Sequence, residues 1–161
     1  MQPRTYTYKK TTIMKLPEIE ILIKYNGTKK SELRRIGNSR DIYTVLGEMY
    51  NKNTVHWCEE MILICLNNNN KVLGYYKISA GGTTGTVCDP KVVFTIALNC
   101  VGTTSIILSH NHPSGRLEPS IADRHITAKI KAGGLLLDIQ LLDHIIYTDE
   151  GFYSFADEGL L

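Results

Sequence analysis

No apolar run in this chain of 161 residues reaches the length of about 18 that a membrane-spanning helix needs, so no such helix is expected. Paired cysteines are missing too. Cys58, Cys65, Cys88 and Cys100 are spaced by 7, 23 and 12 residues, and without a Cys-x-x-Cys pair neither a zinc ribbon nor a thioredoxin-like redox motif is present. There is no Gly-x-Gly-x-x-Gly and no Gly-x-x-x-x-Gly-Lys-Ser/Thr, so a doubly wound nucleotide fold has no support. No internal repeat is visible. The basic N-terminus, MQPRTYTYKKTTIMKLPEIEI, is not followed by the apolar stretch of a secretory signal. Apolar residues make up 43% and the formal net charge is only +2, which excludes disorder, collagen and coiled coil as readings of the whole chain. A domain of this size buries roughly two-thirds of its unfolded surface, so it needs no disulfide or structural metal for stability. Cys65 within MILICL and Cys100 after VVFTIALN read as small buried hydrophobes, and a reducing, cytoplasmic compartment is expected.

Charge is spread unevenly. Residues 1–40 hold ten Lys/Arg against three acids, while residues 41–161 hold eight against thirteen. Such asymmetry hints at two roles, and the chain divides into a basic N-terminal extension, 1–38, and a compact domain, 39–161. Tyr6, Tyr8 and Tyr25 lie among the basic residues of the extension. Interleaved cations and aromatics can track a phosphate backbone and stack bases, so nucleic acid is a possible partner of this segment; a solvated arm is the plainer reading.

Local patterns mark the elements. Ile19, Ile21, Ile23 and Tyr25 alternate as in a strand, and Asn26-Gly27 ends it. Ile42, Val45, Leu46 and Met49 have helical spacing within 39–50, with Ser39 as N-cap. An apolar strand over 59–66, the Asn67–Asn70 tract and a second strand over 71–78 read as a hairpin. A Gly/Thr loop at 80–86 precedes a helix that Asp89-Pro90 opens and that runs to about Val101. Then come a buried strand at 105–109, a polar loop at 110–119, a helix at 120–132 that stops at Gly133-Gly134, and strands at 135–139 and 142–148. Irregular alternation with hairpins implies an α+β fold, a mixed α/β sandwich.

The chemistry is concentrated in Ser109-His110-Asn111-His112-Pro113-Ser114-Gly115 and Pro119-Ser120-Ile121-Ala122-Asp123. His110 and His112 leave an apolar strand two residues apart, so their rings face the same way and can converge on one ion. Pro113 to Gly115 turn the chain, and Ser120 opens the next helix with Asp123 in its first turn. Two His, one carboxylate and a position left for water is the stoichiometry of a catalytic zinc. Ser120-x-x-Asp123 fits a helix capping box equally well.

The whole string, His-x-His-Pro followed by Ser-x-x-Asp, resembles the JAMM motif of MPN/JAB-domain metalloproteases. Together with Leu141-Leu142-Asp143-His144-Ile145-Ile146, the Gly/Thr loop and the closing Tyr153-Ser154-Phe155-Ala156-Asp157, it is similar to the RadC-like bacterial branch, from about Ser39 to Leu161. The resemblance implies the MPN/JAB, cytidine-deaminase-like fold and one Zn2+ held by His110, His112 and Asp123. Members of the family often carry a helix-hairpin-helix domain upstream, and none is expected within these 161 residues.

The family motif also has a glutamate on the strand before the first hairpin. Its usual distance of eight residues from the polar residue closing that strand, here Asn67, favours Glu59 over Glu60; alternation along the strand lets only one of the two face the metal. The resemblance makes Glu59 the general base and Ser120 the donor to the oxyanion, which implies peptidase or isopeptidase chemistry on a protein or peptide substrate. A DNA-associated, repair-type role is the alternative, and a non-catalytic MPN scaffold a third reading. His125, two residues beyond Asp123 on a helix, is expected at the surface. His144 is left outside the site, as a supporting or structural residue.

Overall fold

The computed structural model describes residues 29–81 and 88–161. The strand read at 19–25, residues 1–28 of the basic extension and most of the Gly/Thr loop therefore lie outside the described residues. After a 3-10 turn at Lys30–Glu32 the elements are α1 (Ser39–Met49), β1 (Glu60–Leu66), β2 (Val72–Ala80), α2 (Pro90–Asn99), β3 (Ser105–Asn111), α3 (Ile121–Leu136), β4 (Gln140–Tyr147) and β5 (Phe152–Ser154). The five strands form one sheet in the order β2-β1-β3-β4-β5. β3 and β4 are parallel; the other neighbours are antiparallel.

β1 and β3 are buried along their whole length, as central strands covered on both faces must be. Alternation sends Ile62, Ile64, Leu66, Ile107 and Ile145 to one face, where they pack with Ile42, Val45 and Leu46 of α1. It sends Leu63, Cys65, Ile106, Leu108 and Leu141 to the other, against Val93 and Ala97 of α2 and Ile130 of α3. The mixed α/β sandwich thus has one helix on one face and two on the other. Cys65 and the half-buried Cys100 both sit in the second cluster. Residues 34–36 join the domain through Val72 N–H to Arg34 O (2.9 Å) and Ile36 N–H to Asn70 O (2.8 Å), and Ile36 enters the α1 cluster.

Several boundaries differ from the sequence reading. The α1 cap is Asn38, whose Oδ1 accepts from Asp41 N–H (2.9 Å), while the Asp41 carboxylate accepts from Gly37 N–H (2.8 Å). Ser39 stands inside the helix and donates its hydroxyl to Asp157 (2.6 Å). α2 does begin at Asp89-Pro90, with Asp89 accepting from Lys91 N–H (2.9 Å), but it ends at Asn99. β3 runs two residues further than read, through His110 and Asn111. The largest departure is at Gly133-Gly134. α3 passes through both glycines to Leu136, and residues 135–139 form no strand. The pair marks a close approach instead: a Cβ at Gly133 would lie 2.7 Å from the Phe94 ring, and one at Gly134 only 2.2 Å from the Ile139 carbonyl oxygen. The chain reverses just beyond, where Asp138 takes φ of 54°, and β5 was not anticipated.

Candidate metal centre

Strand alternation continues to the end of β3 and divides its polar residues. Ser109 and Asn111 point to the α1 face, His110 and His112 to the α2/α3 face. The reason lies in the register: Leu108, which belongs to the α2/α3 cluster, is two residues before His110. His112 N–H still donates to Tyr147 O (3.1 Å), so the ladder reaches it although β3 formally ends at Asn111. The two imidazoles meet edge to face with centroids 4.8 Å apart, and their Nε2 atoms are separated by 2.9 Å.

α3 supplies the third group. Ser120 is its N-cap and the capping box is complete: Asp123 N–H donates to Ser120 Oγ (3.1 Å), and Ser120 N–H donates to Asp123 Oδ2 (2.7 Å). The same carboxylate reaches the histidines, with Asp123 Oδ1 3.3 Å from His110 Nε2 and Oδ2 3.8 Å from His112 Nε2. One ligand atom from each of His110, His112 and Asp123 lies within 4.8 Å of the others. One side chain therefore caps the helix and still stands beside both imidazoles.

The donor set fits a cation. His112 Nδ1 lies 2.6 Å from Arg116 O, and a carbonyl oxygen can only accept, so Nδ1 carries the proton and the neutral ring presents a bare Nε2. That lone pair faces His110 Nε2 and a carboxylate, an electron-rich cluster that favours a cation. Without a metal a proton serves: the hydrogen bond to Asp123 raises the pKa of His112 against the opposing effect of partial burial, with Arg116 O adding to the rise. Burial pushes the Asp123 carboxyl up, but His110, His112 and Ser120 together hold it well below the usual carboxylate range, so it is ionised. These three residues could hold a metal ion.

The other residues singled out from sequence fall as follows. Glu59, half-buried, lines a cleft of ≈ 460 Å³ with His112, Ser114, Arg116, Ser120 and Ile121. Glu60 opens β1 pointing the other way and forms an ion pair with Lys77 of β2 (2.7 Å). Ser120 Oγ–H is turned onto Asp123 Oδ2 (2.6 Å), so it must rotate to serve a substrate. His125 is exposed.

Two residues outside the sequence-derived site have definite contacts in the structure. The fully buried Asn111 accepts from Glu60 N–H (2.7 Å) and donates to Val55 O (2.7 Å) and Cys58 O (2.9 Å), so it grips the backbone on both sides of Glu59. The signal was available: an amide within His-x-His at the end of a buried strand must find partners for both its donor and its acceptor. The second is His144, on β4 beside β3. Its Nε2 lies 2.9 Å from His110 Nδ1 and its Nδ1 lies 2.6 Å from Thr127 Oγ1. Nothing in the sequence alone pairs residues 110, 127 and 144.

Comparison with known proteins agrees with this architecture. The model of the RadC-like JAB domain matches residues 36–160. A UPF0758 protein of Flavobacterium johnsoniae is 44% identical over 129 residues, covering 80% of this chain and 55% of that protein. UPF0758 proteins of Chlorobaculum parvum (34% over 129 residues, 80% and 56%) and Methanosarcina barkeri (37% over 128 residues, 80% and 54%) are similar to it as well. The chain thus spans about half the length of the curated relatives it matches. A mixed sandwich, a His-x-His strand end facing a capping Asp, and a family match over the whole described domain lead to one conclusion: this chain belongs to the RadC-like JAB domain family.

Proposed function

We propose that this domain is a zinc-dependent hydrolase of the JAMM peptidase or isopeptidase type, acting on an amide bond of a protein or peptide. The observation that carries the reading is the convergence of His110 Nε2, His112 Nε2 and an Asp123 carboxylate oxygen within 4.8 Å, beside a cleft that Glu59 and Ser120 both line. Two imidazoles and one carboxylate are the ligands of an open catalytic zinc rather than of a closed structural one. A zinc ion held there would supply Lewis acidity, which makes water nucleophilic near neutral pH and polarises a carbonyl. Glu59 would take the proton from the attacking water and pass it to the departing amine. Ser120, once its hydroxyl turns from Asp123, would donate to the developing oxyanion. Glu60, engaged by Lys77, has no part in this.

The test joins elemental analysis to a screen of fluorogenic peptides. Purified protein should contain about one zinc per chain, and Glu59→Gln should keep the metal while lowering turnover by about 10²–10⁴-fold, because an amide does not accept that proton. Protein with no zinc, and with no rise in melting temperature when zinc is added, would refute the reading. A role on nucleic acid rests instead on the surplus of Lys/Arg in residues 1–40. Absence of any gel shift with DNA or RNA at low salt, where phosphate contacts are strongest, would remove it.

A further inference from the structure

Behind His110 runs a chain of hydrogen bonds whose proton directions are set from its far end. Thr127 Oγ1 donates its only proton to the carbonyl oxygen of Asp123 at 2.5 Å, and that oxygen can only accept. Toward His144 Nδ1, 2.6 Å away, the same hydroxyl must accept, so Nδ1 of His144 carries a proton. His144 is fully buried and stacked on Phe155 at 4.9 Å. Among the described residues its ring nitrogens bond to a hydroxyl and an imidazole and to no carboxylate. A fully buried imidazole held by a hydroxyl and a second imidazole has nothing to offset the cost of burying a charge, so the ring is neutral and, with its proton on Nδ1, its Nε2 is bare. Nε2 lies 2.9 Å from His110 Nδ1, which is therefore the donor.

We propose that His144 and Thr127 are positioning residues that lock His110 as the Nδ1–H tautomer, leaving Nε2 as its only ligand atom, and that they tie this ring to the helix carrying Asp123. The chain begins at one ligand and ends on the backbone carbonyl of another, so the imidazole and the carboxylate are set as one unit. The consequence for zinc rests on the reading of the preceding section; the tautomer does not.

Long-range 1H–15N spectra of the ring nitrogens test it directly. In metal-free wild-type protein at mildly alkaline pH, His110 and His144 should both be protonated at Nδ1; a proton on Nε2 of His110 overturns the proposal. In chelator competition His144→Phe should bind zinc about 10–100-fold more weakly, the usual effect of removing a partner of a ligating histidine, with its thermal melt showing that the fold is kept. Should that variant fail to fold, Thr127→Val against Thr127→Ser decides. Only the serine keeps the hydroxyl, so it should retain wild-type zinc affinity and the single His110 tautomer, while valine loses both. Equal affinity and an unchanged tautomer in the two variants would sink the idea. If wild-type protein binds no zinc, the hydrolase reading fails, and the metal-free spectrum still judges the tautomer.

Discussion

Asp123 and Asp143 are two sequestered carboxylates of one small domain, and their surroundings are opposite. Asp143, on β4, accepts hydrogen bonds from three donors. Its Oδ1 accepts from His144 N–H (2.7 Å) and Ala156 N–H (3.0 Å), and its Oδ2 accepts from Ser154 O–H (2.6 Å). Burial raises its pKa, and those three bonds counter the rise without reversing it. Asp123 is also held by donors on Oδ2, through Ser120 N–H and O–H, but its Oδ1 faces the ring nitrogen of His110. A carboxylate whose hydrogen-bond partners all donate is architecture: here it pins the chain after β5 to β4. A carboxylate sharing its front with two imidazole nitrogens is a place for a cation. Both are acids near a histidine in sequence, and only the direction of the surrounding protons separates them.

The largest effect that would sharpen the contrast is loss of the ion. His110→Ala and Asp123→Ala should each reduce zinc from about one per chain to a small fraction, since a two-ligand site is weak. Elemental analysis reads it, and retained zinc in both variants would erase the distinction between the carboxylates. Asp143→Ala should do the reverse. Two buried donors and one part-buried donor lose their acceptor, so urea denaturation should show a loss of about 3 kcal/mol, with zinc stoichiometry unchanged in the folded protein.

A smaller effect is expected behind the site. Gly134→Ala places a methyl against the Ile139 carbonyl and should cost about 2 kcal/mol through overpacking, read in the same denaturation experiment; a neutral result would return Gly133-Gly134 to the role of a helix stop. The smallest concerns the neighbour of Glu59. Glu60→Gln removes an ion pair whose glutamate is buried and whose lysine is partly exposed; the lysine keeps its access to water, so stability should change by about 1 kcal/mol and any peptide cleavage should stay intact. Abolished cleavage here, with Glu59→Gln silent, would exchange the two glutamates.

These expectations draw on different layers of legibility. The amphipathic α1, the buried β1 and β3, and the Asp89-Pro90 helix start were readable because local chemistry decides them: periodicity, a cap, a proline at the first turn. The site was readable for a related reason. Its three candidate ligands sit in two short stretches, at the end of β3 and the first turn of α3, so spacing alone places them near each other.

What failed was local chemistry overruled at a distance. Two consecutive glycines signal a helix end when no neighbour is known, yet α3 keeps them because Phe94 and the Ile139 carbonyl press where side chains would be. A hydroxyl at Ser39 suits a cap by its chemistry, but Asn38 accepts from the Asp41 amide instead. The amino-acid sequence by itself determined most of the elements up to the start of α3, the apolar faces, and the set of imidazoles and carboxylate that can share an ion, since each depends on residues close in the chain. Only the tertiary structure decided which glutamate faces the cleft, that Asn111 grips the backbone around it, and that His144 on β4 and Thr127 on α3 meet behind His110. Those contacts join residues 17 to 56 positions apart, and no local pattern encodes a proton's direction across such a gap.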